Sequence, residues 1–463
     1  MHCRTRPSRA RRRYNAAKPR PYTMATPLQI RPGRWPFYYG WVIVAIAFLG
    51  AGISSGVALW GASVFVLPMT EEFGWSRAAF FSAFTVRAAI SGIMAPVVGP
   101  VFDTRHGSRI MAIVSALTLT GSMTLLRYTD SLWEFILLFG VAGALADLGS
   151  GFMLSSAIVP KWFVAKRGRA LGIATAGVGL GAAVFPGSIS ALVEGVGWRD
   201  AWLYLGLVTG AVSLVLAMFI RTRPEDVGLL PDGAPPQLNE QATEAGLPEP
   251  DVAAGEVSLT RTQALRTGSF WMLLATFAFA GFGIMGFQSN WIPFLLEQDF
   301  TSRQASVGIL FYGVLSGASR PVWGFLGERI QPRYLLGGSM IVTAFSVAVF
   351  LNIGSLGLLI GYMIVAGVSM GGFLILQSLL TANYFGRAHL GAVTTMMRPA
   401  TMVTGALSPL LIGALYDLRG GYTVALSVAG AAWFLAGLYA FAARPPSARF
   451  GSRALTPPSQ PVP

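Results

Sequence analysis

Apolar residues run through this chain in long blocks, separated by short clusters of charge. Twelve blocks reach the roughly 20 residues that a helix needs to cross a ~30 Å hydrocarbon core. They lie at about 38–68, 78–102, 110–128, 132–159, 170–194, 200–220, 270–298, 304–327, 334–352, 355–382, 390–416 and 422–442. The runs are continuous rather than alternating, which argues against a membrane barrel. The bilayer offers no water to a bare backbone, so the pattern predicts an all-α membrane protein with twelve transmembrane helices. Between spans 6 and 7 the pattern breaks. The stretch RPEDVGLLPDGAPPQLNEQATEAGLPEPD (223–251) is rich in proline and acids and reads as a mostly disordered linker. SLTRTQALRTGSFW (258–271) reads as an amphipathic helix on the inner surface. The expected organisation is a tail (1–36), a six-helix bundle (37–220), a linker (221–269), a second six-helix bundle (270–443) and a short tail (444–463).

Composition agrees. The chain is 53% hydrophobic and 12% charged, where a soluble domain carries roughly 25% charged residues, and its mean hydropathy is +0.58. Charge adds orientation. With twelve spans both termini share one side, and the loops on that side carry 26 Lys and Arg against 5 on the other. The positive-inside rule then puts both termini in the cytoplasm, across a cytoplasmic (inner) membrane. Residues 1–23 contribute eight cations and no acid to the net charge of +14. That run reads as a cytoplasmic tail, or as sequence upstream of a true start at Met24, rather than as a nucleic-acid or lipid-binding element. It is not a secretory signal peptide, because no apolar core follows it.

Several chemistries drop out. Cys3 is the only cysteine, so internal disulfides and cysteine metal sites are excluded. His2, His106 and His389 fall in tails or loops, which removes a histidine relay within the membrane. Lys18, Lys161 and Lys166 follow no glycine-rich phosphate loop. Gly172, Gly177, Gly179 and Gly181 sit inside an apolar span, where small residues serve helix packing. No nucleophile–base set is visible, and neither an enzyme nor a cofactor is expected.

The two halves repeat. GPVFDTRHGSR (99–109) follows span 2 and GFLGERIQPR (324–333) follows span 8, so Gly99 and Gly324 are 225 residues apart, as are Asp103 and Glu328. Repeated halves mark a secondary transporter with its site between them. An acid and arginines at such helix ends can cap neighbouring helices and act as latches that hold in one access state.

At these loops the chain resembles the major facilitator superfamily. The signature of that family appears as Gly99, Asp103, Arg105, Gly107 and Arg109, with one extra residue after Asp103. The second copy has Gly324, Glu328, Arg329 and Arg333, with Pro332 where glycine often stands. YYGWVIVAIAF (38–48), EEFGWSRA (71–78), KWFVAKRGRALGIATAGVGLG (161–181), RPEDVGLLPDG (223–233), ALRTGSFW (264–271) and SRP (319–321) are similar to its monocarboxylate transporter and oxalate–formate antiporter branch. The likeness covers about residues 37–443.

Four charges lie inside spans. Arg320 is eight residues before Glu328, roughly 12 Å deep, and Arg398 is eleven after Arg387, roughly 16 Å deep. An arginine in the membrane is costly unless it faces a cavity or a counter-charge, and guanidinium binds carboxylate by paired bonds. A transported organic anion would supply that charge; snorkelling or packing is the structural alternative. The resemblance implies the same role for Arg320, and for the oxalate–formate type a cation where Arg398 stands. Two departures put proton coupling by the animal monocarboxylate route in doubt. Ser316 replaces an acid one turn from Arg320, and the region near Leu59 and Trp60 lacks a lysine. Arg87 and Asp147, roughly 24 and 21 Å from their loops, are expected to pair, either as a structural ion pair or as a proton-coupling site. Gln377 and Tyr312 are further candidates for the cavity lining. The expected function is alternating-access transport of a small organic anion, a monocarboxylate first, by a monomer, with proton symport and anion exchange both compatible. Rivals are a multidrug or neutral-solute exporter on the same fold and a non-transporting sensor.

Overall fold

The computed structural model describes residues 38–233 and 258–446. The tails and the linker centre, on which part of the expected organisation rests, lie outside the described residues.

The apolar blocks fold as helices of membrane-crossing length. They are α1 (Gly40–Phe73), α2 (Arg77–Val98, continued by a 3-10 turn Gly99–Asp103) and α3 (Gly107–Leu125). Next come a segmented α4 from residue 132 to 157 and two helices within Arg167–Met218, α5 (167–196) and α6 (198–218), separated by a kink at Gly197. The second half holds α7 (Gly268–Gln288), α8 (Ser302–Arg329) and α9 (Pro332–Leu351). It ends with α10 (Leu356–Phe385), α11 (Leu390–Arg419) and α12 (Tyr422–Ala442). Among the described residues, nine helices are long and apolar enough to cross a membrane. One of them contains both α5 and α6. The segmented α4 and the more polar α8 complete the twelve.

Local chemistry sets the boundaries. Ser76, Thr267 and Ser355 cap α2, α7 and α10, and Thr301 with Gln304 forms a capping box on α8. Gly197, at φ 79°, turns the chain between α5 and α6, so the two predicted spans are joined without a loop. α4 is not one regular helix. It carries a π-segment at Ile136–Ala142 and breaks after Asp147 before resuming at Gly151. The expected surface helix 258–271 is also corrected. Only Arg261–Leu265 is a separate helix, because Thr267 starts α7.

Close glycine contacts show the repeat. Within the first half α1 meets α5 at Gly52 and Gly177, α2 meets α4 at Gly143, and α3 meets α6 at Gly206. Within the second, α7 meets α11 at Gly281, α8 meets α10 at Gly367, and α9 meets α12 at Gly437. Each pair recurs six helices later. Two further pairs, α2 with α11 and α5 with α8, join the halves and form the seam.

Candidate functional site between the two halves

The seam is tight at the basic face and splays away from it. A methyl group on Gly168 of α5 would collide with the Gly324 carbonyl of α8. One at Gly172 would lie 2.9 Å from the Cα of Pro321, and one at Gly179 3.6 Å from the Cα of Gly317. At Gly187 and Gly313, further along the same helices, nothing lies within 4 Å. The other seam follows suit: Gly99 is pressed against Thr395, Gly92 would meet Met402 at 3.0 Å, and Gly413 is open. The two halves therefore form a V, closed at the loop-motif end.

The motif acids close it. The Asp103 carboxylate accepts from the amides of Gly391 (3.0 Å) and Ala392 (2.9 Å), capping α11 of the opposite half, and binds Lys161 Nζ at 2.8 Å. Glu328 does the mirror task. It accepts from the Arg169 amide (2.8 Å) at the start of α5 and from Arg169 Nε (2.7 Å). Both carboxylates sit at the positive end of a helix dipole from the other half. Lys161 is 1% exposed. Burial pushes its ammonium below the ordinary lysine range, and Asp103 beside it pulls the other way.

Not every motif residue joins the latch. Arg329 lies over the Phe325 ring of its own helix, and Arg333 donates to the Ala443 carbonyl and Tyr334 hydroxyl within its own half. Arg105 reaches Asp226 at 3.7 Å, while Arg109 is half-buried on the same face. Gly107 allows the tight turn into α3, where a methyl would strike the Val101 carbonyl.

The start of the linker, which the sequence reads as mostly disordered, is part of the closure. Arg223 Nη2 donates to the Asp103 carbonyl (2.9 Å) in one half and the Ala388 carbonyl (3.3 Å) in the other. Glu225 pairs with Arg387 at 2.7 Å. The Asp232 carboxylate accepts from three successive amides, Val164, Ala165 and Lys166.

Arg320 stands where the V begins to open, between Gly172–Pro321 and Gly179–Gly317. It is 8% exposed. Nη1 donates to the Thr175 carbonyl of α5, whereas Nε is buried with no acceptor among the described residues. No carboxylate pairs with it there. Tyr312 lies two turns along α8 within electrostatic reach, and its hydroxyl accepts from Gln288 of α7 at 2.7 Å. Gln377 is half-buried on α10 and forms no hydrogen bond with Arg320. Arg398 is on α11, one turn from the Met402 contact with α2, in the field of Asp147.

Arg87 and Asp147 meet. Nε and Nη2 of the arginine each donate to one carboxylate oxygen at 2.8 Å, a bidentate fork. The guanidinium lies 4.8 Å from the Phe139 ring centroid and over Gly143, where a methyl would be 2.8 Å from Nη1.

The family model for the Major Facilitator Superfamily matches residues 41–316 and 290–460. The chain belongs to the Major Facilitator Superfamily and is a multi-pass membrane transporter of that family. Its sequence is 28% identical over 353 residues to the oxalate:formate antiporter of Oxalobacter formigenes, covering 75% of this chain and 78% of that protein. It is 24% identical over 417 residues to human monocarboxylate transporter 12, covering 85% and 78%. The human organic anion transporter MFSD10 shares the fold with a TM-score of 0.65 at 15% identity, covering 87% of this chain and 99% of that one. The proton:xylose symporter XylE gives the same TM-score and identity, covering 87% and 95%.

Proposed function

We propose that this transporter moves a small carboxylate by alternating access, as a monomer in the cytoplasmic membrane. The basic face lies inside, and the V is the outward-open state. The two bundles, 37–220 and 270–443, rock about the seam. One observation carries the reading: a buried arginine at the floor of the V, with one N–H unanswered and no carboxylate among the described residues to neutralise it. A buried cation is tolerated where a ligand answers it, and a guanidinium fits a carboxylate by two parallel bonds. The likeness to carboxylate transporters supports the same substrate class. A neutral-solute exporter accounts poorly for Arg320. Exchange of a dicarboxylate for a monocarboxylate is a second reading, favoured by Arg398 on the facing helix and by the antiporter relative.

The test is ligand-induced thermal stabilisation of purified protein, followed by uptake of labelled carboxylates and neutral solutes into proteoliposomes. Lysine keeps the charge at 320 but loses the planar fork. Arg320→Lys is expected to fold and to lose most stabilisation by carboxylates. Wild-type stabilisation in both Arg320→Lys and Arg320→Ala would make the arginine structural and remove the carboxylate assignment.

A further inference from the structure

Beside the seam, the first bundle holds a cavity of its own. It measures ≈ 40 Å³ and lies between α1, α3, α4 and α6. A water needs about 10–15 Å³ measured this way, so there is room for two or three. Along α1 its walls run from Val57 to Ile46, roughly 16 Å of helix, and on α6 they continue to Ile220, one residue from Arg221. The cavity thus leads from mid-membrane toward the basic face, inside one bundle and off the substrate path.

Asp147 stands at its inner end, where α4 breaks. Its side chain is 27% exposed, whereas that of its partner Arg87 is 7% exposed. Four serines line the space: Ser54, Ser115, Ser150 and Ser213. Ser54 donates to Ser150 at 2.8 Å, and Ser115 donates to the Ala146 carbonyl, which stabilises the frayed turn beside the acid. Asp147 is also within electrostatic reach of Arg398 across the seam. The charged groups around it are therefore Arg87 from α2 and Arg398 from α11. α1, α3 and α6 present hydroxyls and apolar groups, and among the described residues no other charged side chain lines the cavity.

We propose that Asp147 is a protonation site supplied with water and protons from the basic face through this cavity, while the latch between the halves is closed. It rests on the transporter reading but not on the identity of the substrate. The proton goes from water to one carboxylate oxygen. The other oxygen keeps one Arg87 bond, and Asp147 becomes neutral. Protonation adds one positive charge to the membrane interior and an arriving carboxylate removes one. An anion drawn to Arg398 also takes up the field that otherwise faces Asp147. Proton and anion entry therefore favour one another, as linkage requires.

The experiment needs no substrate, so it can fail without touching the carboxylate assignment. Infrared titration of the purified full chain in lipid is expected to show a protonated-carboxyl band that is missing in Asp147→Asn. Should the single variant not fold, Arg87→Gln/Asp147→Asn, which removes both charges of the fork together, serves in its place. Ser213→Leu fills the cavity without touching the ion pair. There the band should persist but rise several-fold more slowly after an acid jump. A titration identical in wild type and the Asp147 variant overturns the proposal, and so does a wild-type rate in Ser213→Leu.

Discussion

Replacing Glu328 by glutamine tests the latch with the least collateral damage. Two interactions weaken. The ion pair with Arg169 involves a side chain that is 47% exposed, so it is worth only ~0–1 kcal/mol. The negative charge at the start of α5 contributes a further ~0.3–1 kcal/mol. Glutamine still accepts from the Arg169 amide, so that bond survives in neutral form. The closed state should lose about 0.3–2 kcal/mol relative to the open one, a roughly 2–30-fold shift in population. Asp103→Asn is a poorer choice. It strips the counter-charge from Lys161, and breaking a buried pair costs ~3–5 kcal/mol in folding whichever way the seam is set. The reporter is Leu379→Cys in a background with Cys3 replaced. Leu379 is 2% exposed and packs into the apolar cluster around Trp162 at the closed end. Thiol labelling should accelerate by that same factor when Glu328→Gln is added, with little change in equilibrium anion binding. Unchanged labelling together with lost anion stabilisation would refute the latch and put Glu328 in the binding chemistry.

The remaining expectations are narrower. Neutralising Arg87 or Asp147 alone strands a buried charge, at ~3–5 kcal/mol. The double neutral variant should recover much of the lost melting temperature, and strictly additive losses would show that the fork contributes nothing as a pair. Arg223→Ala removes a donor shared by carbonyls of both halves. It should raise Leu379→Cys labelling several-fold without altering carboxylate stabilisation, and unaltered labelling would reduce the linker contact to simple packing.

The apolar blocks made the helices legible, and the 225-residue repeat made the paired acids legible. The acids' partners were harder to see. Asp103 and Glu328 bind backbone amides of the other half, and an amide carries no sequence signal. Lys161 and Arg169 share one basic stretch of sequence, KWFVAKRGR (161–169), and nothing in one dimension says which cation faces which acid. Arg329 and Arg333 look equivalent to them in sequence, yet Arg329 stays exposed over Phe325 and Arg333 bonds within its own bundle. RPEDVG was read as linker because proline and acids usually solvate. Its arginine and glutamate instead bridge groups that are adjacent only in the folded chain, and Asp232 finds three amides of a loop some 66–68 residues away. The Arg87–Asp147 pair was predictable because burial leaves two opposite charges few other partners. The break in α4 was not, since LADLGSGFM keeps the hydropathy of a span while its glycines and serine release the backbone.

Site and latch share the same rigid elements. Arg320 and Glu328 are eight residues apart on α8, the first at the floor of the V and the second at its closed tip. On α11 the amides that Asp103 caps, Gly391 and Ala392, lie two turns from Arg398. Each of these seam helices thus carries a cation at the floor and a latch contact at its base. Both cations lie in the second half, so an anion held there that also meets α2 or α5 of the first half would draw the upper parts of the seam helices together. A rigid helix drawn in above its tightest contact pivots there, and its base swings outward. That base is held by two carboxylates, each of which contributes a helix-end charge of ~0.3–1 kcal/mol across the seam, with the exposed Arg169 pair adding ~0–1 kcal/mol at Glu328. Ligand binding can outweigh such terms when the anion binds the drawn-in arrangement more tightly than the V by more than this difference. The glycines complete the logic. Gly168–Gly324 and Gly99–Thr395 bring backbone and side chain together without interlocking side chains to strip apart. The seam can therefore close tightly and still separate.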